Sequence, residues 1–288
     1  MRSLLFVPAH DERKLAKGLL SGADALIIDL EDAVPEAEKP RARAMCAAFV
    51  AANRTAARLF VRVNALGTPH VDRDLEAVMA SAPYGIVLPK SECGSDVAAL
   101  GAKIDALERR CGLEVGATRT LPIVTETAAS LFGLGTYARD AGARLCAMMW
   151  GGEDLAADIG AVANRDGQGA YTAPYELART LTLAAAAAAQ VAAVDAVFTN
   201  FKDDAGLMAE AADALRDGFS AKAAIHPGQV GPINTAFTPS DADLQWARRV
   251  VEAFASNPSS GALALDGRML DRPHLRSAQR VLSRAGNN

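Results

Sequence analysis

Acidic residues that could bind a cation follow two separate apolar stretches of the chain. Glu126 lies near the end of "PIVTET", and Asp154 lies in "WGGEDLAADIG". If these stretches come from neighbouring strands of a parallel sheet, the two carboxylates meet at one edge of that sheet. Mg²⁺ usually takes one or two protein carboxylates and fills its octahedron with water and substrate oxygens. The pair therefore predicts a divalent metal site, and the alternative is that each acid only caps the helix after it.

Three further acids crowd the end of the apolar stretch "ALIIDLEDAV". Asp29, Glu31 and Asp32 lie within four positions of one another. Like charges about 4 Å apart repel by roughly 1 kcal/mol in water and by nearer 4 kcal/mol at the effective dielectric of a protein surface. We therefore expect a cation beside them. Glu31 and Asp32 are predicted to bind the waters of the metal ion and to take part in catalysis, whereas Asp29 points into the interior. Helix capping is again the alternative.

Arg62 directly follows the apolar residues "LFV", where a guanidinium is costly to bury without an anionic partner. Its planar fork fits a carboxylate or enolate oxygen of a substrate, and a structural ion pair with the acids above is the alternative. His226 in "AAIHPGQ" is less specific. A single histidine there is as often a hydrogen-bonded core residue as a ligand contact.

Eight apolar, β-branched stretches alternate with segments rich in Ala, Leu and charged residues. Strands that alternate with helices pair in parallel through crossovers, and eight such units predict an α/β fold of the (β/α)8, or TIM-barrel, type. Polar residues end these stretches, as expected around the mouth of a barrel, whereas a doubly wound sheet would gather them at one switch point. The predicted strands are "SLLFVP", "ALIIDL", "RLFVRV", "YGIVLP", "TLPIVT", "RLCAMMW", "DAVFTN" and "AKAAIH".

The pattern changes after the eighth strand, and we assign residues 1–235 to the barrel and residues 236–288 to a C-terminal appendage. Ser240, with Asp243 three residues later, predicts a capped helix. The Asp-Gly pair in "LALDGRML" lies between two short apolar runs and predicts a β-hairpin. A last helix is expected after Pro273. The appendage is therefore predicted to consist of a helix, a hairpin and a second helix.

Composition narrows the function classes. The 288 residues carry 30 basic and 34 acidic side chains without a basic block, which argues against nucleic acid or an anionic membrane as the principal partner. The run "LTLAAAAAAQVAAVDAVF" contains Gln190 and Asp195 and predicts a packed helix, not a membrane span. Four cysteines without a C-x-x-C pair argue against a zinc or dithiol motif and favour reduced thiols in a cytoplasmic protein. Small molecules are the expected partners.

Several stretches together resemble the citrate lyase beta-subunit-like branch of the HpcH/HpaI aldolase superfamily, which includes malyl-CoA and citramalyl-CoA lyases. The resemblance covers almost the whole chain. It implies a homotrimeric or hexameric barrel enzyme that depends on Mg²⁺, with Mn²⁺ able to replace it. It also implies that Glu126 and Asp154 bind the metal, and that Arg62 and Glu126 contact the substrate. The matching stretches, in the family's order, are "RSLLFVPA", "DLEDAV", "VRVN", "LPK", "ETA", "WGGEDLAADIG", "IHPGQ" and "FTP".

The resemblance further implies contacts with coenzyme A. Arg13 and Lys17 in "PAHDERKLAKG" are four positions apart, on one helix face, and match family positions that bind coenzyme A phosphates. A solvated surface pair is the alternative. His226 and Pro227 in "IHPGQ" are expected beside the same cofactor.

The segment "GRMLDRPHL" resembles a C-terminal segment whose Asp reaches the active site of a neighbouring subunit. On that resemblance Asp271 is the candidate acid or base, and capping of the last helix is the alternative. The implied reaction splits or forms a 3-hydroxyacyl-CoA such as malyl-CoA or citramalyl-CoA, with a short acyl-CoA and a 2-oxoacid, glyoxylate or pyruvate, as its other participants. The alternatives are a class II pyruvate aldolase without coenzyme A, a malyl-CoA thioesterase, and a citrate lyase beta subunit within a multi-protein complex.

Overall fold

A computed structural model describes residues 1–285 and confirms the predicted TIM barrel. Its strands are β1 (Ser3–Pro8), β2 (Ala25–Asp29), β3 (Arg58–Arg62), β4 (Gly85–Leu88), β5 (Arg119–Pro122), β6 (Ala147–Met149), β7 (Ala192–Asp195) and β8 (Ala221–Ala224). They form one parallel sheet in the order β5-β4-β3-β2-β1-β8-β7-β6. Two parallel bridges, Thr120 with Leu145 and Ile123 with Met149, join β5 to the β6 region and close the ring.

The seventh strand lies upstream of its predicted position. We predicted it over "DAVFTN", residues 195–200, but β7 spans Ala192–Asp195, where Val194 pairs with Ala221 of β8. Alanine has a low preference for strands, so the preceding "VAAV" is typical of a helix end when the sequence is considered alone. Pairing with the strands on both sides of it overrides that local preference.

Helices follow the strands on the outside of the barrel. The first part of the alanine-rich run, residues 181–188, lies in a packed helix as predicted, but residues 192–195 of the same run form β7, so a helix over the whole run is wrong. Tyr175, Thr182 and Ala186 lie on the buried face of this helix. Among residues 1–285 no helix is long and apolar enough to cross a membrane. The helices of the barrel region are α1 (Glu12–Leu19), α2 (Lys39–Asn53), α3 (Val71–Val78), α4 (Gly94–Cys111), α5 (Ser130–Gly133), α6 (Tyr137–Asp140), α7 (Glu153–Asp158), α8 (Ala173–Ala188), α9 (Asp204–Asp217) and α10 (Val230–Phe237).

Apolar side chains from all eight strands fill the inside of the barrel. Each large side chain in this cluster stabilises the fold by about 1.5–3 kcal/mol. Gly85 of β4 is required for the packing, because a Cβ at this position would lie 2.6 Å from the ring of Phe60. A filled interior leaves the strand ends as the place for a ligand. The cluster includes Leu4, Ile27, Phe60, Val87, Leu121, Met149, Val194 and Ala223.

Of the described residues, 1–234 form one compact unit and 235–285 belong to a second. The second unit consists of α11 (Asp241–Ser256), the antiparallel pair β9 (Ala262–Leu265) and β10 (Arg268–Asp271), and α12 (Arg272–Ala285). It has its own core of Val250, Phe254, Leu270 and Ala278. The predicted helix-hairpin-helix appendage is confirmed, whereas its predicted contact with a neighbouring subunit stays a prediction.

The local signals in this unit act as expected. Ser240 and Asp243 form a capping box in which each side chain accepts the backbone N–H of the other residue. Asp266 and Gly267 have φ values of 51° and 74° at the turn of the hairpin. Two successive positive φ angles match the type I′ turn that an Asp-Gly pair favours.

Candidate active site

A cavity of about 460 Å³ opens at the carboxyl ends of the barrel strands. Its charged lining includes Asp29, Asp32, Arg62, Glu126 and Asp154, which come from four different strand ends. An apolar cavity with a few convergent polar groups is the usual form of a small-molecule site. The apolar lining includes Phe6, Ile123, Met149, Trp150, Tyr171 and Val197.

Arg62 binds Asp29 through two parallel hydrogen bonds. The residues are register partners on β3 and β2, and Nε and Nη2 of Arg62 each donate to one carboxylate oxygen at 2.7 Å. Burial acts to raise the pKa of Asp29, but the charge and hydrogen bonds of Arg62 hold that pKa below its usual value. The remaining donor, Nη1, lies 3.1 Å from Glu31 and 3.6 Å from Asp32. The structural ion pair is therefore present, and substrate binding by Nη1 of Arg62 stays a prediction.

Lys90 lies among the acids at the mouth of the barrel, a position that the sequence alone does not reveal. Its ammonium lies 2.6 Å from Glu31 and 3.7 Å from both Asp32 and Asp154. Partial burial acts to lower the pKa of Lys90, but the hydrogen bond and charge of Glu31, with the charges of further acids, raise it. In the sequence, Lys90 follows an apolar strand in "LPK", and an ordinary surface lysine would have the same pattern. Together with Arg62, Lys90 supplies the positive charge that the acid cluster requires.

Glu126 and Asp154, the predicted metal ligands, lie close enough to share a hydrogen bond. Glu126 is 4% exposed, and its Oε2 accepts a 2.5 Å hydrogen bond from the backbone N–H of Lys90. Burial is the main cause that raises the pKa of Glu126 to about 8, and the Glu31 charge adds to the rise. Asp154 lies in the first turn of α7 with 38% of its side chain exposed. A buried carboxyl group of this kind holds either a proton or a cation.

The two carboxylates fit a hard divalent cation. Within residues 1–285 no group of three or more His, Cys, Asp or Glu side chains could hold a metal ion. Mg²⁺ accepts two protein carboxylates when water and substrate oxygens complete its shell. Gly151 leaves room for Glu126, because a Cβ at Gly151 would lie 3.0 Å from Glu126 Cγ. Thr125 Oγ1 accepts the Gly151 N–H at 2.9 Å, which ties the loops of the two acids together.

The acids at these strand ends are not the N-cap residues of the helices that follow. The N-cap residues are Ala129 for α5 and Gly152 for α7, and neither helix has a side-chain cap hydrogen bond. After β2, the N-cap residues are Pro35 for a 3₁₀ turn and Glu38 for α2, again without a side-chain cap. No side-chain N-cap hydrogen bond is therefore made by these carboxylates, although Asp154 lies in the first turn of α7, where a negative charge is favourable.

Glu31 and Asp32 differ in their surroundings. Glu31 is buried between Arg62 and Lys90, and burial raises its pKa in spite of both cations. Asp32 is 55% exposed and lines the cavity. Their predicted contacts with metal-bound water stay a prediction.

His226 and Pro227 lie at the exposed end of β8, so the alternative of a core histidine is wrong. His226 Nδ1 accepts the N–H of Gly228 at 3.1 Å, and its ring stacks on Phe201 at 5.2 Å between centroids. Arg13 and Lys17 are exposed on α1, and neither makes an ion pair within the described residues. All four side chains are accessible to a ligand, but their assignment to coenzyme A stays a prediction.

Asp271 belongs to the second unit and ends β10. Its side chain is half-exposed, and Oδ1 lies 2.6 Å from Nδ1 of His274. The hydrogen bond with His274 lowers the pKa of Asp271. Asp271 directly precedes α12, and His274 lies in the first turn of that helix. A catalytic role of Asp271 stays a prediction.

The closed barrel, with a carboxylate pair at its mouth, places the protein among the barrel enzymes whose active sites lie on the loops after the strands. A family model described as HpcH/HpaI aldolase/citrate lyase matches residues 2–227, and the chain belongs to this family. The family predicted from the sequence is thus confirmed, as is the class of enzyme, a carbon–carbon lyase.

Similar proteins extend over the whole chain. The citrate lyase subunit beta-like protein of Mycobacterium tuberculosis (strain ATCC 25618 / H37Rv) is 38% identical over 98% of this chain and 94% of its own length. The (3S)-malyl-CoA thioesterase of Cereibacter sphaeroides is 33% identical over 99% and 94%. A crystal structure of CitE from Mycobacterium tuberculosis with magnesium, acetoacetate and coenzyme A has a TM-score of 0.79 at 35% identity, covering 99% of this chain and 98% of that one.

Proposed function

We propose that the protein is a Mg²⁺-dependent lyase that cleaves, or in reverse forms, a 3-hydroxyacyl-CoA such as malyl-CoA or citramalyl-CoA. The products of cleavage are a short acyl-CoA and glyoxylate or pyruvate. One observation carries the proposal: Glu126 and Asp154 meet in the cavity, while Arg62 and Lys90 neutralise the acids of the second strand end. The Glu126–Asp154 pair is therefore the place where a cation would bind.

Glu126 and Asp154 would hold Mg²⁺, and magnesium is bound in the similar CitE structure. When bound, the ion supplies Lewis-acid stabilisation of negative charge on the oxygens of the substrate. Manganese has the same preference for oxygen ligands and would serve in its place.

The chain's own residues orient the reactants and move the proton. Asp29 fixes the Arg62 fork, which leaves Nη1 to bind the carboxylate of the 2-oxoacid. Apolar lining residues such as Ile123 and Met149 keep water from the enolate of the acyl-CoA. The substrate hydroxyl gives its proton to Asp32, which lines the cavity, and its carbon becomes the carbonyl of the 2-oxoacid. The bond from that carbon to the α-carbon of the thioester breaks, and its electron pair remains with the acyl-CoA as the enolate. Asp271 of a neighbouring subunit then protonates that α-carbon, or removes its proton in the condensation direction.

Coenzyme A would bind the exposed residues of α1 and of the end of β8. Arg13 and Lys17 would bind its phosphates, since both ammonium and guanidinium groups there lack an anionic partner within the described residues. His226 and Pro227 would contact the same cofactor from the end of β8. An active site that takes Asp271 from another subunit requires a closed homo-oligomer, for which we propose a trimer or hexamer.

Product analysis tests the proposal. The purified full-length protein is incubated with MgCl₂ and malyl-CoA or citramalyl-CoA, and both the thioester and the carbonyl products are measured. We expect acetyl-CoA together with glyoxylate or pyruvate. Asp213→Asn, which changes an exposed acid of α9 paired with Arg216, is the matched control and should be fully active.

A thioesterase is the second candidate, supported by the 33% identity to the (3S)-malyl-CoA thioesterase. Hydrolysis releases free coenzyme A and intact malate, so the same incubation separates the two activities. Pyruvate from a coenzyme A-free 4-hydroxy-2-oxoacid would instead indicate a class II aldolase. Absence of turnover until an acyl-carrier partner is added would indicate a subunit of a larger lyase complex.

A further inference from the structure

A buried chain of charged side chains supports one wall of the cavity from behind. Trp150, which lines the cavity, donates its Nε1–H to Asp195 Oδ1 at 2.7 Å. Lys222 donates to Asp195 Oδ2 and to Glu210 Oε1, both at 2.7 Å, and to the carbonyl oxygen of Ala196 at 2.8 Å. All three donors of this ammonium are therefore used.

The chain of contacts returns to the cavity at a second aromatic residue. Glu210 Oε2 lies 2.7 Å from Arg165 Nη2, and the Arg165 guanidinium stacks on the ring of Tyr171 at 3.7 Å. Tyr171 also lines the cavity, and its ring meets that of Trp150 edge-on at 4.9 Å. We refer to this closed set of contacts as the wall network, which consists of Trp150, Asp195, Lys222, Glu210, Arg165 and Tyr171.

Stability alone does not account for the wall network. Asp195 and Lys222 are fully buried, and replacing a buried ion pair with apolar residues of similar volume is often neutral or stabilising. The charged groups instead fix the geometry of the side chains, because a buried hydrogen bond is satisfied only at a particular distance and angle. The network therefore sets where the two aromatic rings stand in the cavity.

Tyr171 depends on Arg165 for its position. Both lie in a short hairpin between α7 and α8, where they pair as antiparallel neighbours. The polar side-chain contacts of the hairpin with the barrel include Arg165 with Glu210, and Asn164 with Glu153 at 2.7 Å, while the Tyr171 ring packs on Trp150. Loss of the Arg165–Glu210 contact would remove the support of the guanidinium that stacks on Tyr171 and loosen the position of that ring.

The wall lies beside the candidate metal site. Trp150 precedes Gly151, and the Gly151 N–H donates a hydrogen bond to Oγ1 of Thr125, the residue before Glu126. We propose that the substituent on the hydroxyl-bearing carbon, which becomes the side chain of the 2-oxoacid, reaches this wall and that Tyr171 determines specificity by limiting its size. Arg165 and Glu210 are positioning residues that act through Tyr171. This inference rests on the proposed lyase function.

Condensation of acetyl-CoA with a series of 2-oxoacids tests the inference. The series is glyoxylate, pyruvate, 2-oxobutyrate and 2-oxovalerate, with kcat/KM measured for each. In Tyr171→Ala we expect the ratio of kcat/KM for 2-oxovalerate over pyruvate to rise about tenfold or more, since a single methylene is worth roughly 10- to 200-fold in a fitted pocket. Tyr171→Phe keeps the ring and should keep the wild-type ratio.

The positioning role has its own variants. Arg165→Met should raise the same ratio about threefold or more, and Arg165→Lys, which can still pair with Glu210, should restore most of the wild-type value. Arg216→Met removes an exposed cation of α9 and should leave the ratio unchanged. An equal fall of kcat/KM for all four 2-oxoacids in Tyr171→Ala would overturn the specificity role. An unchanged ratio in Arg165→Met would overturn the positioning role.

A binding measurement separates this inference from the proposed function. The chain has two tryptophans, so Trp246→Phe leaves Trp150 as the reporter within the wall. Quenching of Trp150 fluorescence by each 2-oxoacid in the presence of Mg²⁺ gives a series of Kd values. If no CoA ester is turned over, the lyase proposal fails. The specificity role of Tyr171 is still supported if Tyr171→Ala lowers the Kd for 2-oxovalerate relative to the Kd for pyruvate. An unchanged ratio of these Kd values overturns that role.

Discussion

Asp29 and Arg62 face each other at the ends of β2 and β3, and Arg62 binds both oxygens of Asp29 at 2.7 Å. One edge of the guanidinium is thereby held by a buried carboxylate, while Nη1 remains directed towards Glu31 and the cavity. Parallel pairing of the two strands creates this geometry, because register places the residues side by side. The pair orients the one donor that would meet the substrate.

Arg62→Lys keeps the charge but loses the fork. We expect turnover to fall about ten- to a hundredfold, since one charge-assisted hydrogen bond of roughly 1.5–3 kcal/mol is lost. Steady-state kcat and thermal unfolding are measured together. Asp29→Asn, which weakens the orientation of Arg62 from behind, should lower kcat in the same direction. Wild-type turnover in Arg62→Lys would show that Arg62 is only structural.

Asp154→Ala removes one proposed metal ligand. We expect loss of Mg²⁺ binding and turnover, with the free energy of unfolding of the metal-free protein changed by no more than about 0.5 kcal/mol, because Asp154 is partly exposed. Titration calorimetry with MgCl₂ and chemical unfolding check both parts. Retained magnesium affinity would refute the assignment, and Asp213→Asn serves as the control.

Lys90→Met removes a positive charge that lies 3.7 Å from Asp154. Because like charges repel, Mg²⁺ should bind roughly tenfold more tightly, equivalent to about 1.4 kcal/mol. The metal-free fold should lose about 1–3 kcal/mol, since buried Glu31 loses a hydrogen-bond donor. Calorimetry and unfolding measure the two effects. Lys103→Met, at an exposed pair with Asp72, should change neither, and weaker magnesium binding in Lys90→Met would contradict the expectation.

Acid unfolding should depend on Glu108. Burial acts to raise its pKa, but hydrogen bonds from Arg144 and from the N–H groups of Thr118 and Gly116 lower the pKa to about 2 from a usual value of 4.5. A depressed pKa stabilises the fold above pH 4.5, and this contribution is lost as the pH falls towards 2. It is on the order of 2 kcal/mol after allowance for solvent screening. Chemical unfolding at a series of pH values should therefore show a shallower acid limb for Glu108→Gln, and an identical limb would contradict the assignment.

Complementation tests whether Asp271 acts in a neighbouring subunit. Asp154→Ala and Asp271→Ala chains should each be inactive alone, but in randomly mixed closed oligomers about a quarter of the sites combine an intact metal site with an intact Asp271. Two affinity tags isolate the mixed oligomers, whose activity is then measured. Mixed oligomers without activity would mean that Asp271 serves its own chain or none.

Periodic patterns and turn chemistry could be interpreted without a structure. Eight strand-like stretches imply the barrel, and the Ser240 cap and Asp266-Gly267 turn imply the appendage, because each depends on neighbouring residues alone. The seventh strand was misplaced where alanine hides a strand within a helix-like composition. Identifying the family likewise needed only stretches that are contiguous in the chain.

The sequence by itself determined the barrel, the family and the acids that stand at its strand ends, since these follow from local spacing. Only the tertiary structure decided which charges pair. Lys90 meets Glu31 across 59 positions of the chain, and Lys222 meets Asp195 across 27. The energy of an ion pair depends on distance and burial, and both are set only when the ends of β2 and β4 come together at the mouth of the barrel and when β7 pairs with β8. Neither lysine therefore has an assigned partner until the strands assemble.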